Sequence, residues 1–271
     1  MATYKQIRGT TVQNNAGDYT GAVQGQLWYN STAGSFQFKN ITTAGAWATG
    51  GSLNTARAAL GGAGTQTAAL GFGGIDAPVY GLAVTESYNG SAWTEVNDLN
   101  TGRARAGGAG TQTSALAIAG DDVNTPVYYI QSESWNGTSW SEIADFNTQR
   151  SYIGSAGADN TSALAFGGFN SPPATRYANT ESWNGTSWTE VNDLNQARND
   201  FAGSNGIQTS ALVYGGTQDP PSYTLTESWN GTSWTEVGDL NAASTAGGGA
   251  GADNTSALQF GGNPIVIGAQ T

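Results

Sequence analysis

Thr180-Glu181-Ser182-Trp183-Asn184-Gly185-Thr186-Ser187-Trp188-Thr189-Glu190-Val191 decides how this chain folds. Two short aromatic segments flank Asn184-Gly185, and Asn-Gly between such segments is the strongest short-range signal for a β-hairpin, because both residues accept positive φ. The wording recurs at Glu86-Ser87-Tyr88-Asn89-Gly90, Glu133-Ser134-Trp135-Asn136-Gly137 and Glu227-Ser228-Trp229-Asn230-Gly231. The hairpin is therefore one piece of a repeating unit.

Working outward, Trp47, Trp93, Trp140, Trp188 and Trp234 recur at spacings of 46, 47, 48 and 46 residues. A period of that length means blades or solenoid units. Four units carry an arginine about ten residues further on (Arg57, Arg103, Arg150, Arg198), whereas the fifth has Ala243 and Ser244 in that region. A Gly/Ala/Thr-rich strand follows, then a strand with alternating large residues: Leu70/Phe72, Leu116/Ile118, Leu164/Phe166, Leu212/Tyr214 and Leu258/Phe260. Period two means β. The positions between are mostly small (Ala69/Gly71, Ala115/Ala117, Ala163/Ala165), so one face carries bulk and the other leaves room for a neighbouring sheet. Each such strand stops at Gly73-Gly74, Ala119-Gly120, Gly167-Gly168, Gly215-Gly216 or Gly261-Gly262, where glycine permits a sharp exit with φ > 0.

Four strands per unit and five units predict an all-β, five-bladed β-propeller over residues 46–271. The repeat region opens on a fourth-strand element at Trp47 and closes after a second strand, so the last blade is incomplete. The segment around Trp47 is expected to supply its outer strand and close the ring, removing two open sheet edges; residues 27–38 are the alternative closing segment. Residues 1–45 lie outside the repeat: Gly9 to Gly21 reads as an extended arm, and Leu27-Trp28-Tyr29 opposite Phe36-Gln37-Phe38 reads as a hairpin for attachment or assembly. A lone hairpin is marginal in water, so Leu27, Trp28, Tyr29, Phe36 and Phe38 are expected to dock on their own propeller or on a neighbouring subunit.

Arginine, small-residue strand, Gly-Gly, aromatic strand and tryptophan, in that order across 47–271, resemble the kelch repeat. The wording at 180–191, with Asp193-Leu194-Asn195 behind it, resembles the kelch-like proteins encoded by marine bacteriophages, and Gly25 to Phe38 resembles a hairpin seen in phage tail-fibre and other virion proteins. The resemblance implies a virion or appendage component exposed at a surface, engaged with other virion or fibre subunits, with copies of itself, or with host-surface glycans. A soluble multivalent lectin is the alternative. Fold alone licenses neither reading.

Composition narrows the chemistry. A net charge of −11 would repel a phosphate backbone, so nucleic acid is not expected as a partner. The chain has no Cys and no His, which removes thiolate metal sites, the commonest general base and the copper chemistry of kelch-fold oxidases. No catalytic residue, cofactor or metal is expected. No stretch approaches the roughly 20 apolar residues of a membrane span, and Met1-Ala2-Thr3-Tyr4-Lys5 opens no secretory signal, so membrane insertion is not expected. The glutamates Glu86, Glu133, Glu181 and Glu227, and likewise Glu95, Glu142, Glu190 and Glu236, recur unit by unit and are expected to pair with the repeated arginines or with backbone amides.

The repeats disagree in the loops between second and third strands, 75–84, 121–131, 169–179 and 217–225. In a propeller these share one face, opposite the constant Asn-Gly turns. They carry Tyr80, Asp121, Asp122, Tyr128, Tyr129, Arg176, Tyr177, Asp219 and Tyr223, and rings beside carboxylates suit a sugar or a protein epitope. This variable face is the candidate binding surface.

Overall fold

The computed structural model describes residues 13–15, 27–38, 47–122, 124–125, 127–218 and 224–264. The chain divides between Thr49 and Gly50 into two units. In the first, Leu27–Asn30 and Ser35–Phe38 form the expected antiparallel hairpin with Leu27 opposite Phe38. Asn30 closes its turn, Oδ1 accepting from the N–H groups of Thr32 and Ala33 at 3.0 and 2.9 Å. Within the run expected as an extended arm, Gln13–Asn15 lies parallel to Leu27–Asn30.

The second unit is β throughout, with no helix among its described residues. Four repeats each form a four-stranded antiparallel sheet joined in sequence order. In the third these strands are Gly154–Asp159, Ser162–Phe166, Thr180–Trp183 and Trp188–Val191. The Asn-Gly hairpin sits where the sequence puts it, Trp183 opposite Trp188, with Asn184 Oδ1 accepting from the N–H groups of Thr186 and Ser187 at 2.9 Å. First strands of successive repeats lie beside one another, and the arrangement is that of four propeller blades.

Bulk from one blade fills the small-residue face of the next. Leu116 and Ile118 pack with Ala163, Ala165, Trp183 and Trp188 of the following blade; Leu70 and Phe72 meet Ala115, Ala117, Trp135 and Trp140 in the same way, and Leu164 and Phe166 meet Ala211, Val213, Trp229 and Trp234. The core thus lies between blades, where burial of each such side chain contributes about 1.5–3 kcal/mol.

The repeated charges hold each blade together from inside. Arg57–Glu86, Arg103–Glu133 (2.6 Å), Arg150–Glu181 (3.2 Å) and Arg198–Glu227 (2.9 Å) are ion pairs with essentially no solvent exposure. The carboxylates also accept backbone bonds from the interblade segments, as Glu133 does from Asn100 N and Thr101 N at 2.8 and 3.2 Å. The second glutamate set departs from expectation: Glu95, Glu142, Glu190 and Glu236 are exposed, opposite the first set on the outermost strand. A further tie runs backwards between blades. Gln112, Asn160, Gln208 and Asn254, all in the turn after the first strand, donate to the third-strand serines Ser87, Ser134, Ser182 and Ser228 of the preceding blade at 2.9–3.0 Å.

The fifth repeat differs. Its described residues form only the hairpin Ser244–Asp253 with Ser256–Pro264. The closing strand expected around Trp47 is not found: residues 47–50 form no strand, and Trp47 is 76% exposed. The four complete blades pair a Trp-Thr-Glu or Trp-Ser-Glu stretch at that register, whereas Trp47-Ala48-Thr49 runs into Gly50-Gly51, and glycine is a poor strand former. Leu258 and Phe260 are 53% and 38% exposed, where Leu116 and Ile118 are fully buried.

Candidate functional site

Two residues beyond each repeated arginine the backbone turns left-handed at a non-glycine residue. Ala59, Arg105, Tyr152 and Asp200 have φ of 53–55°, and Ala246, two residues after Ser244, has φ 52°. That conformation costs on the order of 1–2 kcal/mol per residue. A chain of backbone bonds offsets part of it: Arg105 N–H donates to Ala59 O (2.9 Å), Tyr152 N–H to Arg105 O (3.2 Å), Asp200 N–H to Tyr152 O (3.4 Å) and Ala246 N–H to Asp200 O (3.1 Å). These five residues and the first strands that follow them line an axial cavity of about 680 Å³.

The belt is regular in backbone and irregular in side chain. Ala59 and Ala246 leave space, while Arg105, Tyr152 and Asp200 furnish a guanidinium, a phenol and a carboxylate. Arg105 Nη1 donates to Asp121 Oδ2 at 2.9 Å, and its guanidinium lies 4.6 Å from the Tyr152 ring centroid. Ser151 Oγ donates to the same carboxylate oxygen at 3.0 Å. Asp121 is 4% exposed and its Oδ1 is buried with no hydrogen-bond partner. Burial pushes the Asp121 carboxyl above the usual range against the pull of Arg105, and burial likewise raises Asp200 against the Arg105 charge.

The loop residues singled out from the sequence separate into groups. Asp121 joins the axial belt through Arg105. Asp122 serves its own turn, accepting from Asn124 N–H and Thr125 Oγ at 3.0 Å. Tyr128 and Arg176 converge on Phe169 from two blades, with ring centroids 6.3 Å apart for Tyr128 and the guanidinium 5.7 Å away for Arg176. Two-stranded ribbons, Asp121–Asp122 with Val127–Tyr128 and Phe169–Asn170 with Thr175–Arg176, hold them. Tyr129 and Tyr177 instead lie beside the structural Arg103 and Arg150 at 5.5 and 5.7 Å, which ties them to the blade interior. Tyr80 is half-buried in the loop of the first blade. Asp219 and Tyr223 lie outside the described residues, as do the side chains of Leu27, Trp28, Tyr29, Phe36 and Phe38.

Arg105, Tyr152 and Asp200 were not singled out by sequence, although a signal existed: at one register inside otherwise constant units the repeats read Ala59, Arg105, Tyr152, Asp200 and Ala246. Chemically the mouth offers donors and acceptors without a metal cage; no group of three acidic, His or Cys side chains able to hold a metal ion occurs among the described residues. No helix among the described residues is long and apolar enough to cross a membrane. No protein-family model matches this chain, and no curated protein matches it significantly.

Proposed function

We propose that this chain is a non-enzymatic structural and adhesive subunit of a phage-like virion or fibre, presenting its variable loop face to a host surface or to neighbouring subunits. The observation that carries the reading is the contrast inside every repeat. Ion pairs, the backward ties between blades and Asn-capped hairpins are copied from blade to blade, while the loop ribbons vary and the belt on the same face reads Ala59, Arg105, Tyr152, Asp200 and Ala246. A copied skeleton with one diversified face suits recognition without turnover. It also disfavours a lectin with one like site per blade, since the equivalent belt positions are chemically unlike.

The same reading includes a five-bladed ring whose last blade is completed from the N-terminal segment of the same or a neighbouring chain. The exposure of Leu258 and Phe260 supports it. Gln66, at the position in the first blade from which Gln112, Asn160, Gln208 and Asn254 tie back to a preceding blade, is exposed and makes no side-chain hydrogen bond among the described residues. Trp93 is only half-buried beside a cavity of about 430 Å³ between the first blade and the fifth repeat. The Leu27–Phe38 hairpin carries the same Asn-capped turn as the blade hairpins. It has no glutamate, and the fifth repeat has Ser244 where the others have the arginine that a glutamate would need.

Electron micrographs of the purified full-length chain, beside a chain lacking residues 1–45, test both parts together with adsorption of each to host cells. Rings or strings of rings that bind cells, and that open or fall apart on truncation, are the expected result. Full-length particles that neither assemble nor adhere would overturn the reading.

A further inference from the structure

We infer that the mouth of the axial cavity is a single saccharide site, with Asp200 and Arg105 as its hydrogen-bonding pair and Tyr152 beside them. The inference rests on the adhesive reading above and names its ligand class. Asp200 lines the cavity, and its carboxylate accepts no hydrogen bond from any described residue. Arg105 spends Nη1 on Asp121 and makes no other side-chain hydrogen bond among the described residues, so the remaining N–H groups of its guanidinium are available. The Tyr152 hydroxyl is likewise without a partner among them. A carboxylate that only accepts, a guanidinium that only donates and a phenol that does both match a vicinal diol, whose hydroxyls must each donate and accept.

Shape agrees with that chemistry. Ala59 and Ala246 clear one side of the mouth, Ile153 and Phe201 offer apolar surface for the C–H face of a ring, and about 680 Å³ accommodates a small ligand. Behind Arg105, the Oδ1 of Asp121 is buried with no hydrogen-bond partner among the described residues. Because Arg105, Tyr152 and Asp200 differ from one another and from the two alanines, Ala59 and Ala246, the axis holds one asymmetric site and not five equivalent ones.

The test screens full-length protein on an array of bacterial oligosaccharides, then titrates the strongest oligosaccharide against wild type, Asp200→Asn, Arg105→Ala and Tyr128→Ala. The expected result is 1:1 binding that weakens at least tenfold in Asp200→Asn and Arg105→Ala and less than twofold in Tyr128→Ala, with all melting curves cooperative. Oligosaccharide binding unaffected by Asp200→Asn and Arg105→Ala moves the site elsewhere on the face and overturns the inference while leaving the adhesive reading intact. Adhesion to host cells without any oligosaccharide signal overturns the saccharide assignment alone. Absence of both overturns the two together. Should Arg105→Ala fail to fold, the isosteric Asp200→Asn decides by itself.

Discussion

The third blade and the fifth repeat are written in nearly the same words and end in different states. Ser162-Ala163-Leu164-Ala165-Phe166 and Ser256-Ala257-Leu258-Gln259-Phe260 both alternate bulk with smaller residues and both form the second strand of a hairpin. Leu164 and Phe166 are fully buried, whereas Leu258 and Phe260 are 53% and 38% exposed. Leu212, on the blade that precedes the fifth repeat, is half-buried, an intermediate case. The strand is the same; its neighbour differs. Trp229 and Trp234 cover Leu164 and Phe166, and the fifth repeat has no tryptophan among its own strands to offer Leu212. A blade therefore gains its stability from the next one, as expected of repeat units that cannot bury an apolar face alone.

The largest predicted effect comes from breaking what the fifth repeat lacks. Arg103→Ala strands Glu133 in the interior, and loss of one partner of a buried pair costs about 3–5 kcal/mol; chemical denaturation should show a much lower midpoint or no cooperative transition. Next, Leu164→Ala should cost about 2–5 kcal/mol as a core truncation, while Leu258→Ala should stay within about 0.5 kcal/mol in a chain lacking residues 1–45. If full-length protein makes the two substitutions equally damaging, the fifth repeat is covered there, and the contrast belongs to the truncated chain alone.

A smaller effect sharpens the comparison among complete blades. Trp140 and Trp234 donate Nε1–H to Thr85 and Thr180 of the preceding blade at 3.1 and 3.0 Å. At the corresponding place Trp188 Nε1 and Ser132 Oγ are both buried without partners. Ser132→Thr should restore the bond and stabilise by about 1 kcal/mol, read as a rise in melting temperature. The smallest change concerns the axis. Burial raises Asp200, so its ionised form destabilises the folded state at neutral pH, and that penalty disappears as pH falls below the ordinary aspartate value of about 3.9. Asp200→Asn should therefore raise the melting temperature at pH 7 and leave it unchanged at pH 3.

What sequence revealed was whatever depends on neighbours in the chain. Alternation of size, the Asn-Gly turns and the left-handed Gly167-Gly168 exit (φ 63° and 114°) are local, and Ala119 shows the demand by adopting φ 54° where glycine is replaced. Pairing of Glu133 with Arg103 was also readable, because both recur in step. Closure was not, since Trp47 keeps the spacing of a fourth strand without the residues that pair as one. Nor was the distinction between Tyr128, in the loop cluster, and Tyr129, beside a buried guanidinium, because adjacent residues of one irregular loop carry no periodicity. The belt was not legible for another reason: its variation sits at the threshold of an otherwise constant strand, outside the variable loops.

The narrowness of the hub has a consequence for architecture. Any side chain at Gly108 would strike the carbonyl oxygen of Gly62, one at Gly247 would strike that of Ala202, and Ser155 and Ser204 fit only by bonding across to the adjoining strand. Inner-strand residue size thus sets how tightly neighbouring sheets can crowd toward the centre. Enlarging these positions together would push the inner strands of neighbouring sheets apart, making small residues at the hub a requirement of the packing between blades and not merely tolerated.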